Sequence, residues 1–146
     1  MSAVLVTHEL TDAQAFADRL AVLDRGELLQ VGTPDEVVLR PASRRVAELI
    51  GYLGFVPAAG KTAGVHPERV MAGALPDRGL VLTGAVVACR PAGAGWEADL
   101  RVGESAITCR LPDRPPVSGG GFTVTVADPP YFDDDGNAVS FSQLNA

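Results

Sequence analysis

Histidine and cysteine, the residues best suited to proton transfer and zinc binding, are few: two histidines, His8 and His66, and two cysteines, Cys89 and Cys109. His8 stands in the most suggestive setting, the run Val4-Leu5-Val6-Thr7-His8-Glu9. An apolar segment rich in β-branched residues ends there in three polar ones, directly before an amphipathic stretch. An α/β protein carries a polar side chain to the carboxyl end of a buried parallel strand in this way, and ligands sit at such ends. The same pattern also fits a partly buried polar residue with no chemistry to do.

The other constellations are weaker. His8, His66, Cys89 and Cys109 lack recognised zinc spacing, and the cysteines read as small buried hydrophobes. Two cysteines are too few for a disulfide scaffold, so the default is a reduced chain, with an 89–109 bridge open only if their strands pair. Asp133-Asp134-Asp135-Gly136-Asn137 invites comparison with a calcium loop. Its glycine comes too early and no Glu follows at the twelfth position, so a hairpin turn is the better reading. Trp96 could cover a ligand or anchor a small barrel. Arg90-Pro91-Ala92-Gly93-Ala94-Gly95 could cradle an anion, but with no helix behind it a simple loop is favoured. Glu9, Asp12 and Asp18 form a solvated helix face.

The elements that must position these residues follow from periodicity and punctuation. Val4–Val6 reads as a strand buried on both faces. Thr11 caps a helix with Gln14 as its capping-box partner, and Ala13, Phe16, Ala17 and Leu20 supply its apolar face. Residues 20–32 read as a β-hairpin turning at Asp24-Arg25-Gly26-Glu27. Thr33-Pro34-Asp35-Glu36 is the sharpest local signal: Thr at the cap, Pro at the first helical position, Glu closing the box. That helix should stop near Pro41. Ser43 caps another, carrying Val46, Ala47, Leu49 and Ile50, and Gly51 ends it in the left-handed conformation.

Beyond Gly51 the texture changes to strand-like runs between breakers. Gly54–Gly64 reads as a mobile connector holding the domain boundary. Val65, the Arg69–Met71 region, Leu80–Ala88, Trp96–Val102, Ala106–Leu111 and Phe122–Ala127 read as strands, which argues for a small antiparallel barrel or sandwich. The expected fold class is α+β, with a short α/β piece over residues 1–53, a linker over 54–63 and a β-domain over 64–146.

A formal charge of −6 without a basic cluster makes nucleic acid or anionic lipid poor candidates as partners. No apolar run is long enough to span a bilayer, and the N-terminus lacks a signal-peptide pattern.

Taken together, Val4–Val37 resembles the closing stretch of the ATP-binding subunit of an ABC transporter. The order is strand, Thr-His-Glu, helix ending in Ala-Asp-Arg, apolar strand, Asp-Arg-Gly turn, Gly-Thr-Pro and acidic helix. "RPASRRVAELIG" resembles the helical exit of importer ATPases. "GVHPERV" and "YFDDDGNAV" resemble their C-terminal TOBE or OB-like regulatory domain. His66 departs from the pattern, since Arg is usual in that Gly-Val-x-Pro-Glu motif. The resemblance implies that His8 is the switch histidine, contacting the γ-phosphate of ATP, with Thr7 and Glu9 shaping the loop. It also implies ATP and Mg2+ as cofactors of the intact subunit. The implied partners are a second ATPase subunit and transmembrane permease subunits, and the location is cytoplasmic, peripheral on the inner face of the cell membrane.

Phosphoryl transfer needs a glycine-rich loop with Lys and Ser/Thr, and a carboxylate for magnesium and water. The chain has no GxxxxGK[ST], no LSGGQ-like signature and no apolar strand ending in Asp-Glu before residue 4. Gly119-Gly120-Gly121 has no Lys after it. The expectation is a truncated importer subunit that neither binds ATP tightly nor hydrolyses it alone. The alternatives are a stand-alone β-barrel interaction module and a sensor of a small ligand such as an oxyanion or sugar. A truncated sheet with open edges also leads us to expect self-association through residues 3–8.

Overall fold

The computed structural model describes residues 1–117 and 121–144. Gly119 and Gly120 of the glycine triplet lie outside the described residues.

The front of the chain follows its local signals closely from residue 20 onward. Strands β1 (Leu20–Asp24) and β2 (Glu27–Gly32) form an antiparallel hairpin. Arg25 and Gly26, at φ 50° and 80°, supply the two positive-φ residues of a type I′ turn. Before the hairpin lies helix α1 (Leu10–Phe16), and after it come α2 (Pro34–Leu39) and α3 (Arg44–Leu49). Thr33 accepts from the Glu36 amide while the Glu36 carboxylate accepts from the Thr33 amide, and Ser43 accepts from the Val46 amide. Gly51 takes φ 104° after α3, as its position predicts.

Two expectations at the N-terminus are corrected. Val4–Val6 forms no strand, and Val4, Leu5 and Val6 are 93%, 64% and 89% exposed. A strand exists only where a neighbour satisfies its N–H and C=O groups, and no other segment among the described residues pairs with this one. The following helix begins at Leu10 with Glu9 at the cap position and no side-chain cap, so Thr11 lies inside it. Its apolar face is scarcely used: Ala13 is buried, but Phe16 is 81% exposed.

The expected linker is also corrected. Residues 54–63 build strand β3 (Phe55–Ala58) and most of β4 (Lys61–Gly64), paired antiparallel. With β10 (Tyr131–Phe132) and β11 (Ala138–Val139) they form a four-stranded sheet in the order β11-β10-β4-β3. This sheet is the wall between two cores, because alternate residues of a strand face opposite sides. Val56 and Ala63 join one apolar cluster, whereas Phe55 and Phe132 pack into the other. The fully buried Val56 fixes the segment that glycine and proline content alone made look mobile.

The larger sheet has the order β5-β9-β6-β7-β8, from β5 (Val70–Ala72), β6 (Gly79–Ala92), β7 (Gly95–Val102), β8 (Ser105–Leu111) and β9 (Phe122–Ala127). Four of the six strand-like runs read from the sequence are here. The Arg69–Met71 region splits into a 3-10 turn at Pro67–Arg69 and β5. Val65 joins no strand and instead exchanges backbone hydrogen bonds with Leu53 and Gly54. β6 changes partners midway: Gly79–Gly84 pairs with β9, and Ala85–Ala92 with β7. Gly84 sits at the handover, where an added Cβ would overlap the carbonyl oxygen of Arg101, a close approach that selects glycine. The exchange curls the sheet into an open half-barrel around Val86, Leu100, Ile107, Val124 and Val126. The fold is therefore α+β with mostly antiparallel sheets, as expected, and the β-rich part is OB-like in its curl.

The second core lies between the β1–β2 hairpin, α2, α3 and the wall, with Val22, Val37, Val46, Ala47, Ile50, Tyr52 and Phe132 buried in it. The last element is α4 (Phe141–Leu144).

Candidate functional site

His8 has almost no structural surroundings. Its side chain is 97% exposed, and Nε2 lies 3.9 Å from the Glu9 carboxylate. Thr7 Oγ1 accepts from the Glu9 amide at 3.0 Å, the only hydrogen bond among the described residues that shapes this loop. The structure brings His8 together with none of His66, Cys89 or Cys109. Among the described residues, the charged group within ion-pair range of the imidazole is the Glu9 carboxylate.

The acidic loop is a turn, as its glycine position indicated. The Asp133 carboxylate accepts from the amides of Asp135 and Asn137 at 3.0 and 2.9 Å. The Asp133 amide in turn donates to the Asn137 carbonyl. The loop is tied to α3 by the Arg44 amide donating to the Gly136 carbonyl and by a bridge between Ser43 and Asn137. A shallow open hollow of about 340 Å³ lies there. Its cations are engaged: Arg45 holds Asp24 through two nitrogens at 2.9 and 3.2 Å. Arg44 reaches Glu48 at 3.2 Å and stacks over the Phe55 ring at 4.4 Å.

On the outer side of β6–β8 a ladder of charge crosses the strands. Arg90 bonds Asp99 at 2.9 Å and also Glu97, and Arg110 reaches Glu68 at 2.8 Å and Glu97 at 3.6 Å. Hydrogen bonds from Arg90 and then Thr108 hold the Asp99 carboxyl below the usual carboxylate value. These groups satisfy one another, an arrangement that pins register rather than binding a ligand. Trp96 is half-buried with the Arg114 guanidinium 5.1 Å above its ring, which agrees with an anchoring role. The Pro91–Gly95 loop reduces to a tight turn at Gly93-Ala94 between paired Ala92 and Gly95.

Tyr52 and His66 are the pair that sequence reasoning missed. Tyr52 is 4% exposed, and its hydroxyl donates to the Val38 carbonyl at 2.7 Å. His66 meets its ring edge-on at a centroid distance of 5.2 Å. Nothing in the spacing links position 52 to 66; only the departure of His66 from the Arg-containing motif marked it.

No protein-family profile matches the chain. Among curated proteins, it is 28% identical over 130 residues to the sn-glycerol-3-phosphate import ATP-binding protein UgpC of Bartonella quintana, covering 77% of this chain and 37% of that protein. It is 34% identical over 98 residues to the sulfate/thiosulfate import ATP-binding protein CysA of Xylella fastidiosa, 67% of this chain and 24% of that protein. With the spermidine/putrescine import ATP-binding protein PotA of Pseudomonas fluorescens the identity is 40% over 67 residues, 46% of this chain and 18% of that protein. The chain thus spans well under half the length of these relatives. These relatives are import ATP-binding subunits of ABC transporters, and the chain is similar to a partial span of them, consistent with their C-terminal portion.

Proposed function

We propose that this chain is the C-terminal portion of an importer ATPase subunit, contributing the switch-histidine segment and a regulatory β-domain to ATP-driven solute uptake. The observation that carries the reading is the similarity to importer subunits named for three chemically different solutes. A relationship spread over different cargoes points to the shared ATPase role and leaves the cargo open. In this reading residues 4–51 close the nucleotide-binding domain, and residues 64–146 are the TOBE-like domain that helps hold two subunits together beneath the permease.

The bare Val4–Val6 segment supports this. An apolar run left 64–93% exposed is suited to pair as a strand once another part of a sheet is placed beside it. Supplying those neighbours would order the segment and place His8 at a strand end, where imidazole can donate to a phosphate oxygen while its other nitrogen is fixed. MgATP would be held mainly by groups upstream of His8, so the chain alone does not hydrolyse it. No helix among the described residues is long and apolar enough to cross a membrane, and the proposed place is at the cytoplasmic face, docked on membrane-spanning partners.

The test is to join the upstream portion of a matching import ATP-binding subunit to residue 1 and measure MgATP binding and hydrolysis. Binding should appear, and His8→Ala should lower hydrolysis by roughly 100-fold with binding largely kept. A well-folded joined chain that fails to bind MgATP, or saturable hydrolysis by the present chain alone, would overturn the proposal.

A further inference from the structure

His66 occupies the joint between the two cores. It follows fully buried Val65 and precedes buried Pro67. On one side its ring meets Tyr52, a member of the helical core. On the other, the 3-10 turn it caps is tied to β8 by the Glu68–Arg110 ion pair at 2.8 Å. The backbone around it closes the same joint: Leu53 donates to the Val65 carbonyl, Val65 to Gly54, and Thr108 of β8 to Leu53, at 3.0, 2.9 and 2.7 Å. Gly54, at φ 148°, lies so near Ile107 that an added Cβ would sit 2.8 Å from the Ile107 Cα.

The imidazole does its work in one protonation state. Nδ1 accepts the Glu68 amide N–H at 3.3 Å, so the ring proton sits on Nε2. A second proton would turn Nδ1 into a donor aimed at another donor. It would also place a positive charge in a half-buried site. The charged groups that face it are Glu68 and Arg69 on its own turn and Arg110 from β8. One carboxylate, already paired with Arg110, stands against two guanidinium groups. Tyr52 offers no counter-charge, because burial pushes its phenol up to about 12.

We propose that His66 is a proton-sensitive latch: neutral, it caps the 67–69 turn and holds Tyr52 against the β-rich half; protonated, it releases that joint. Burial, reinforced by Arg110 and Arg69 and opposed by Glu68, holds the imidazole below the ordinary histidine value of 6.5. The unfolded chain therefore binds the proton first as pH falls. The stabilisation is fully present above the unfolded value and is lost as pH drops toward the depressed folded one. In the usual motif Arg stands here, and a permanent cation would have no such response.

The experiment uses the whole chain. His66→Asn keeps a side-chain acceptor suited to a cap and removes the titration. Thermal unfolding midpoints should fall between pH 7.5 and 5.5 more steeply for the native chain than for His66→Asn. Imidazole NMR of the native chain, assigned with His8→Ala since only two histidines exist, should show His66 titrating below 6.5. Protection of the Leu53 and Val65 amides, relative to their intrinsic exchange rates at each pH, should fall in acid only when His66 is present. Should His66→Asn fail to fold, the native-chain titration and exchange still decide. Parallel pH profiles for the two chains, or a His66 ring titrating at or above 6.5, would overturn the latch.

Discussion

Cys89 and Cys109 stand in one row across the large sheet with Ala98 between them: Cys89 registers with Ala98, and Ala98 with Cys109. Two strand spacings separate them by about 9.5 Å, beyond the roughly 7 Å that a disulfide tolerates between Cα atoms. Cys109 is fully buried with its thiol directed at the Ala98 carbonyl, and burial pushes that thiol up to about 12. Half-buried Cys89 should react with a thiol reagent in the native chain while Cys109 stays silent until unfolding. Mild oxidant should leave no intramolecular bridge. Equal labelling rates, or a mass two protons lighter with both thiols lost, would count against this register.

What the sequence could disclose depended on how local the cause was. The cap at Thr33, the cap at Ser43 and the turn at Arg25-Gly26 are written in a few adjacent residues, and each forms as read. The β3–β4 wall was hidden because its stability comes from Phe132, some seventy-five residues away, packing near Phe55 at 6.2 Å. Val4–Val6 failed in the opposite direction. Its pattern is that of a buried strand, but burial requires neighbours that the described residues do not place beside it. His8 was legible as a motif, whereas its near-complete exposure was not.

Thr33 and Glu36 hold each other's backbone amides at the start of α2, whose Val37 and Val38 are buried, Val37 in the helical core. Thr33→Ala should therefore destabilise the chain by about 1 kcal/mol, and Thr33→Ser should keep most of that. Urea unfolding followed by circular dichroism measures the difference. Indistinguishable midpoints for the alanine variant and the native chain would mean that the cap is not formed in solution.

Phe132 joins the last strands of the β-rich half to the front of the chain. It is 1% exposed and packs with Val22, Val37, Val46 and Tyr52. Phe132→Ala should cost about 3–5 kcal/mol. The same contact predicts that residues 64–146, expressed without the front half, lose native packing. That fragment loses β3 and leaves Phe132 uncovered, so it should bind a hydrophobic dye and show weak near-ultraviolet dichroism. A cooperative, dye-silent fragment would instead favour a β-domain that stands alone as an interaction or ligand-sensing module.

Val4, Leu5 and Val6 combine exposed apolar side chains with backbone groups that no strand pairs, and Phe16 lies exposed a short distance along the chain. An unpaired apolar segment of this kind pairs with another chain when concentration allows. Sedimentation across a concentration series should show reversible self-association, unchanged by MgATP if, as proposed, nucleotide is held mainly by groups upstream of His8. Val4→Lys with Val6→Lys should shift the equilibrium toward monomer without altering the unfolding midpoint, since neither side chain is packed. A chain that stays monomeric at every concentration, with amides 3–8 protected from exchange, would mean that the segment finds a partner within its own fold. A MgATP-dependent change in mass would mean that nucleotide is held by groups other than those flanking His8.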